Sequence, residues 1–204
     1  MADRVGPALV VKLGGSLAET RRLSALVEMI SRARYPIVVV PGGGMLADGV
    51  REAQRGLQIT DALAHRLALL SLHQMALVVA ARHSRFGLVE TVDDIAAALV
   101  TGQIPVWMPY RLQQSDDTIP ADWTTTSDAL AARLAERMGC GQVALIKSCD
   151  ITPGLTADAA AERGITDPVF AAIVARAGLN YAFYGPGDEA KLAERLWCSV
   201  GMET

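Results

Sequence analysis

The stretch VVKLGGSL, residues 10–17, carries a lysine at the end of an apolar run, then two glycines and a serine. A lysine inside such a run is costly unless its charge is paired or reaches a ligand. Lys12 therefore reads as a cation delivered to the end of a buried strand. There an ammonium stabilises the charge that spreads over the oxygens of a phosphoryl group in transfer. Gly14 and Gly15 lack a Cβ, so the backbone of the turn that they form with Ser16 can approach a ligand closely. A helix that follows offers unpaired N–H groups and the positive end of its dipole to an anion. VVVPGGGM, residues 38–45, repeats the arrangement with Gly42, Gly43 and Gly44 but without a lysine. Two such turns at successive strand ends suit two phosphoryl-bearing ligands that face each other. Plain tight turns, and a lysine snorkelling to solvent, are the simpler readings. The repetition of the cluster, with a lysine two residues before the first, weighs against them. The pattern is neither the Walker A loop nor the G-x-G-x-x-G dinucleotide fingerprint.

Elements that would position these residues follow from periodicity. Short apolar runs at 8–13, 35–40, 104–109, 142–148 and 180–185 read as strands. Helical spacing covers 21–33, 44–55, 60–83, 91–102, 126–139, 167–178 and 188–197, and the polar run 113–123 reads as a loop. Thr60 or Asp61 suits the N-cap of the third helix. Thr126 or Ser127 suits that of the helix at 126–139, which Gly139 closes. Strands alternating with helices predict a mostly parallel sheet covered on both faces, with ligands at the carboxyl ends of the strands.

The 204 residues suit one domain, and 51% hydrophobic against 20% charged residues argues against disorder. A net charge of −3 without a basic run gives no nucleic-acid surface. No apolar run is long enough for a membrane span, and the N-terminus does not read as a signal peptide. Cys140, Cys149 and Cys198 are scattered and read as reduced thiols in a cytoplasmic protein.

Four motifs in this order, VKLGGSL, VVPGGG, TTSDALAARLA and LIKSCDITPG, resemble those of the amino acid kinase superfamily. That superfamily includes acetylglutamate, aspartate, uridylate and isopentenyl phosphate kinases. The resemblance implies a three-layer α/β/α sandwich with a mostly parallel central sheet. It also implies an acceptor-binding part over roughly 1–125 and a nucleotide-binding part over roughly 126–204. ATP is the implied donor, with Mg²⁺ arriving on the nucleotide, since no His, Asp or Glu cluster has metal-ligand spacing. Lys12 would bridge the transferring group, and Gly14, Gly15 and Ser16 would hold ATP phosphates. Gly42, Gly43 and Gly44 would hold the acceptor. Asp128 matches the aspartate that orients the catalytic lysine. Lys147, Asp150 and Gly154 fall where the nucleotide site begins.

Two departures qualify the match. Many members carry a second catalytic lysine in a later GGM…K segment, which is missing here, and Lys147 is the candidate replacement. The chain is also shorter than most members, so feedback control through an appended domain is not expected. The acceptor turn has no histidine of the isopentenyl phosphate kinase kind. The run through 38–77 is most similar to the small kinases of methanofuran synthesis, which implies an aminomethylfuran-methyl phosphate acceptor. Asp48, Asp61 and His65 lie near the acceptor turn in sequence and are the candidate contacts for it. A carboxylate acceptor, a non-catalytic oxyanion-binding or storage protein, and a nucleotide sensor are the competing readings. The apolar circumference of the helix at 60–82, with Leu63, Leu67, Leu70, Met75 and Val78, predicts burial against a second subunit.

Overall fold

The computed structural model describes residues 8–198 apart from Ser115. Six strands form one parallel sheet in the order β3-β4-β2-β1-β5-β6. They are β1 (Leu9–Leu13), β2 (Ile37–Pro41), β3 (Phe86–Val89), β4 (Ile104–Trp107), β5 (Gln142–Ile146) and β6 (Asn180–Tyr184). β1 pairs with β2 on one side and with β5 on the other. The chain builds the β2 half first and the β5 half second, so β1 stands where the strand order reverses. A crevice opens at the carboxyl ends of the strands at such a point.

Two apolar cores sandwich the sheet. One gathers β1 through Leu9, Val11 and Leu13 with α1 (Arg22–Ser31) and α9 (Glu189–Trp197). The other gathers Val10, Val38, Val40, Val143 and Leu145 with α4 (Val92–Val100), α6 (Ser127–Met138) and α8 (Pro168–Ala177). α3 (Asp61–Ala80) contributes Leu69 and Leu72 to the second core and Ala76 and Val79 to the first. Successive residues of β1 thus enter opposite cores, as the two-residue period of a strand requires. The strand is buried throughout and reads as a continuous hydrophobic run. This is the three-layer sandwich expected from the sequence.

α2 (Gly44–Leu57) opens directly after the second glycine turn. The remaining helices are short: α5 (Tyr110–Gln113) and α7 (Ala157–Glu162). The sequence reading missed both, together with β3 and a 3₁₀ turn at Gly15–Glu19. β3 is a four-residue edge strand whose middle is partly exposed, so it lacks the apolar run that marked its neighbours. α3 is long and apolar enough to cross a membrane, yet its inner face packs on β2, β3 and β4 as a core helix does.

Candidate active site

β1 and β5 point Lys12 and Lys147 at one place. Strand alternation sends Val10 and Lys12 toward the α6 face, and Val143, Leu145 and Lys147 follow the same parity one strand over. Asp128, in the first turn of α6, meets both. Lys12 Nζ lies 2.8 Å from Oδ1, and Lys147 Nζ donates to Oδ2 at 2.6 Å. All three side chains are at most 9% exposed. Lys147 also donates to the Ile165 carbonyl at 2.6 Å. Two ammonium groups therefore share one buried carboxylate, which leaves one positive charge of the triad uncompensated. Burial pushes the Asp128 carboxyl up, but Lys12 and Lys147 outweigh it and hold it below the ordinary range. Lys147 moves the other way: burial first, then the Lys12 charge, lower it to about 8 despite Asp128.

Asp167 fixes the α6 end of this triad. Its Oδ2 accepts from Thr126 N, Thr126 Oγ1 and Ala129 N, while Oδ1 accepts from Phe170 N. One carboxylate thus caps two helices, α6 and α8, and satisfies amides that their first turns leave unpaired. Burial and the neighbouring Asp128 charge push its carboxyl up, against those four donors. Arg22 fixes the β5 end. Its guanidinium donates to the Lys147 and Gly185 carbonyls, each at 3.0 Å, and pairs with Glu189 at 2.7 Å.

The two glycine turns are packed backbone to backbone. A Cβ on Gly42 would stand 2.3 Å from Gly15 N, and one on Gly15 would stand 2.4 Å from Gly44 N. The missing side chains first let the loops after β1 and β2 touch each other, and so bring the amides of both to one crevice. Gly14 donates to the Ile146 carbonyl at 2.9 Å and ties the same turn to β5. Ser16 Oγ then lies 2.6 Å from Ser148 Oγ, so hydroxyls from the β1 and β5 loops meet beside the triad.

A cavity of about 260 Å³ opens next to these turns. Gly15, Ser16, Gly43, Gly44, Thr126 and Ser127 line it together with the apolar Leu69, Leu72 and Leu130. Neither Lys12 nor Lys147 borders it. Asp48 and His65 line it as the sequence suggested, whereas Asp61 does not. Asp48 is paired with Arg51 at 2.7 Å, and the Arg51 guanidinium lies 4.2 Å from the centre of the Trp123 ring. Asp61 accepts from Gln54 Nε2 at 2.6 Å, and Gln54 Oε1 in turn accepts from Trp123 Nε1. Asp61 therefore stands behind the wall and holds Trp123 in it. Gly42 is likewise absent from the lining, being occupied with Gly15.

A second cleft of about 420 Å³ lies along β6. Ile151–Leu155, Tyr181–Tyr184, Asp188 and Lys191 line it, so Gly154 is on its wall. Asp150 is exposed immediately before the cleft begins.

Comparison with known sequences settles the family. The profile of the amino acid kinase family matches residues 7–151. The chain belongs to the amino acid kinase family. It is 27% identical over 146 residues to (5-(aminomethyl)furan-3-yl)methyl phosphate kinase of Methanocaldococcus jannaschii. That match spans 69% of this chain and 66% of the relative's length. Solved structures share the fold at low identity. The uridylate kinase of Archaeoglobus fulgidus aligns with a TM-score of 0.68 at 14% identity, over 92% of this chain and 94% of its own. The UMP kinase of Bacillus anthracis aligns with a TM-score of 0.70 at 14% identity, over 93% and 92%. The aspartate kinase of Synechocystis reaches 0.60 at 16% identity, over 87% of this chain but 38% of its own.

Within this amino acid kinase chain, the sequence reading missed Asp167, Arg22, Ser148, Arg51, Trp123 and Thr125. Asp167 had a usable signal, an aspartate directly before a proline that opens a helix. The other five act through tertiary neighbours and carry no local signature. Among the described residues no group of three or more His, Cys, Asp or Glu side chains is arranged to hold a metal ion.

Proposed function

We propose that this protein is an ATP-dependent kinase that transfers the γ-phosphoryl group to a phosphate-monoester acceptor. The observation that carries the reading is the buried Lys12–Asp128–Lys147 triad at the carboxyl ends of β1 and β5. An ammonium has three donors. Lys147 directs one to Asp128 and one to Ile165, which leaves a donor for a phosphoryl oxygen. Positioning and charge stabilisation are what phosphoryl transfer asks of a protein. Lys12 and Lys147 would offset charge on the transferring group, and Asp128 would hold both in register. A binding or storage protein has no need of two desolvated cations on one carboxylate, so the catalytic reading is favoured.

The acceptor would occupy the cavity between Gly43, Gly44 and Trp123, with its phosphate toward the amides that open α2 and toward Arg51. The nucleotide would occupy the cleft around Gly154 and Tyr181–Tyr184, its phosphates reaching Gly14, Gly15 and Ser16. In this reading most acceptor contacts precede residue 125 and most nucleotide contacts follow it, with Gly14–Ser16 and Thr126–Leu130 crossing the division. Mg²⁺ would enter on the nucleotide phosphates, since a hard cation with several retained waters needs few protein ligands. The name of the Methanocaldococcus jannaschii relative makes an aminomethylfuran-methyl phosphate the first acceptor to try. We place the enzyme in the cytoplasm as a homodimer formed through α3. The side chains of Leu63, Leu70 and Leu77 recur every seven residues on that helix and are 43%, 41% and 55% exposed. Met75, which the sequence reading assigned to the same face, is buried inside the chain.

The test is turnover with ATP against aminomethylfuran-methyl phosphate, UMP, aspartate and acetylglutamate. Formation of a diphosphate from a monoester supports the reading. Phosphorylation of a carboxylate alone, or ATP binding without any transfer, overturns it.

A further inference from the structure

His65 sits on the wall of the acceptor cavity and is only 5% exposed. Its Nδ1 lies 3.2 Å from the backbone carbonyl of Asp122. A carbonyl oxygen can only accept, so Nδ1 carries the proton and Nε2 presents a bare lone pair. Burial lowers the ring's pKa, more than the Asp122 carbonyl and carboxylate raise it, which favours the neutral form with that single proton. The carbonyl is held in place locally. The Asp122 carboxylate accepts from Thr124 N at 2.8 Å and from Thr124 Oγ1 at 2.5 Å. The tautomer is thus set by a braced turn. Nε2 is buried and has no partner among the described residues. Thr125 Oγ1, on the wall of the same cavity, is in the same state. Buried polar groups in folded proteins are paired as a rule, and a pair of exceptions on one cavity wall asks for a ligand.

We infer that His65 Nε2 and Thr125 Oγ1 select an acceptor bearing a hydrogen-bond donor, an ammonium or a hydroxyl, at the end of the molecule away from its phosphate. The inference rests on the reading of this cavity as the acceptor site. The rest of the lining includes the apolar Ala68, Leu69 and Leu72 and the hydroxyls of Thr126 and Ser127, while the Asp48 carboxylate in it is already paired with Arg51. Arg51 supplies only donors and repels a cation, which leaves it to the phosphate end. A site built to bond a donor rejects an analogue that lacks it, because its own polar atoms are then left unpaired.

Two experiments on the full chain test this. The first is nitrogen NMR of the histidine-labelled protein, with His65 assigned by loss of its signals in His65→Asn. The expected result is the Nδ1–H tautomer; an Nε2–H tautomer overturns the inference, whatever the enzyme phosphorylates. The second compares kcat/KM for aminomethylfuran-methyl phosphate, its hydroxymethyl counterpart and its methyl counterpart. Wild type should prefer the first or the second over the methyl compound by about 10-fold or more. His65→Asn keeps a side-chain donor for Asp122 but removes the acceptor on the cavity side, so that preference should collapse. His65→Gln, with a longer amide, should restore part of it. A purely structural histidine would lower all three compounds alike, and an unchanged preference in His65→Asn overturns the inference. If no furan phosphate is turned over, the acceptor proposed above is wrong, and the tautomer measurement alone decides the present point.

Discussion

Replacing Asp128 with asparagine keeps the shape of the side chain and removes the carboxylate that, among the described residues, pairs with both lysines. Its oxygens lie 2.8 Å from Lys12 Nζ and 2.6 Å from Lys147 Nζ, at 6% side-chain exposure. Removing one partner of a buried ion pair costs about 3–5 kcal/mol. The share that falls on Lys147 is limited. Its pKa is already lowered to about 8, so near neutral pH it can shed the proton at little cost. Lys12 therefore carries the larger share. For a chain of this size about 3–5 kcal/mol corresponds to a fall in Tm of about 6–20 °C. Activity should fall as well, by about 10²-fold or more in kcat, because two preorganised cations lose their alignment. Lys147→Met is the matched control: it leaves Asp128 and Lys12 as a one-to-one pair, so kcat should drop on a similar scale while Tm moves by only a few degrees. Calorimetry and steady-state kinetics on both variants decide the matter. If Asp128→Asn melts like wild type and turns over normally, the triad neither stabilises nor catalyses. If Lys147→Met fails to fold, that lysine is structural.

Lys12→Ala should abolish transfer while ATP affinity, measured by calorimetric titration, falls far less, because the charge is most useful in the transition state; near-normal kcat would remove Lys12 from the mechanism. The pH dependence of kcat should fall as pH rises through about 8, where Lys147 loses its proton. Stability should do the opposite in that range: an unfolded lysine near 10.5 still holds its proton while the native one does not, so stability rises with pH between about 8 and 10.5. A parallel decline of both would assign the activity loss to unfolding. Sedimentation at micromolar concentration should find a dimer, and Leu70→Glu together with Leu77→Glu should give a folded monomer; a wild-type monomer would contradict the α3 interface.

Much of this architecture was legible in the sequence, because its strands are buried on both faces and its helices carry periodic apolar positions. Lys12 was legible for a related reason, since a charge inside an apolar run needs an explanation, whereas Asp128 and Lys147 came from the resemblance of the TTSDALAARLA and LIKSCDITPG motifs. The strand at 86–89 was not, since an edge strand with an exposed middle has no continuous apolar run. Asp61 was placed at the acceptor because it lies near the acceptor turn in sequence, but nearness along the chain does not say which neighbour the side chain finds. It found Gln54, and through it Trp123. The glycine clusters were read as ligand cradles from local conformation alone. That Gly15, Gly42 and Gly44 first serve the contact between two loops required knowing that the loops are neighbours in the sheet.

That contact bears on how Lys12 and Lys147 come to share one carboxylate. The β1 loop touches the β2 loop through glycine backbones and touches β5 through the Gly14–Ile146 bond and the Ser16–Ser148 hydroxyls. Lys12 and Lys147 leave the sheet on the same face, one strand apart, and Asp167 anchors the helix end from which Asp128 meets them. If Lys147 is the second cation, it needs no long segment after β5 to bring it in: its position follows from strand parity and from the Arg22 guanidinium that bonds its carbonyl. The cost is that Lys147 is more deeply desolvated than a loop lysine would be, which is why its pKa is lowered to about 8 and why the activity of this chain should be more sensitive to alkaline pH than one that uses an exposed cation.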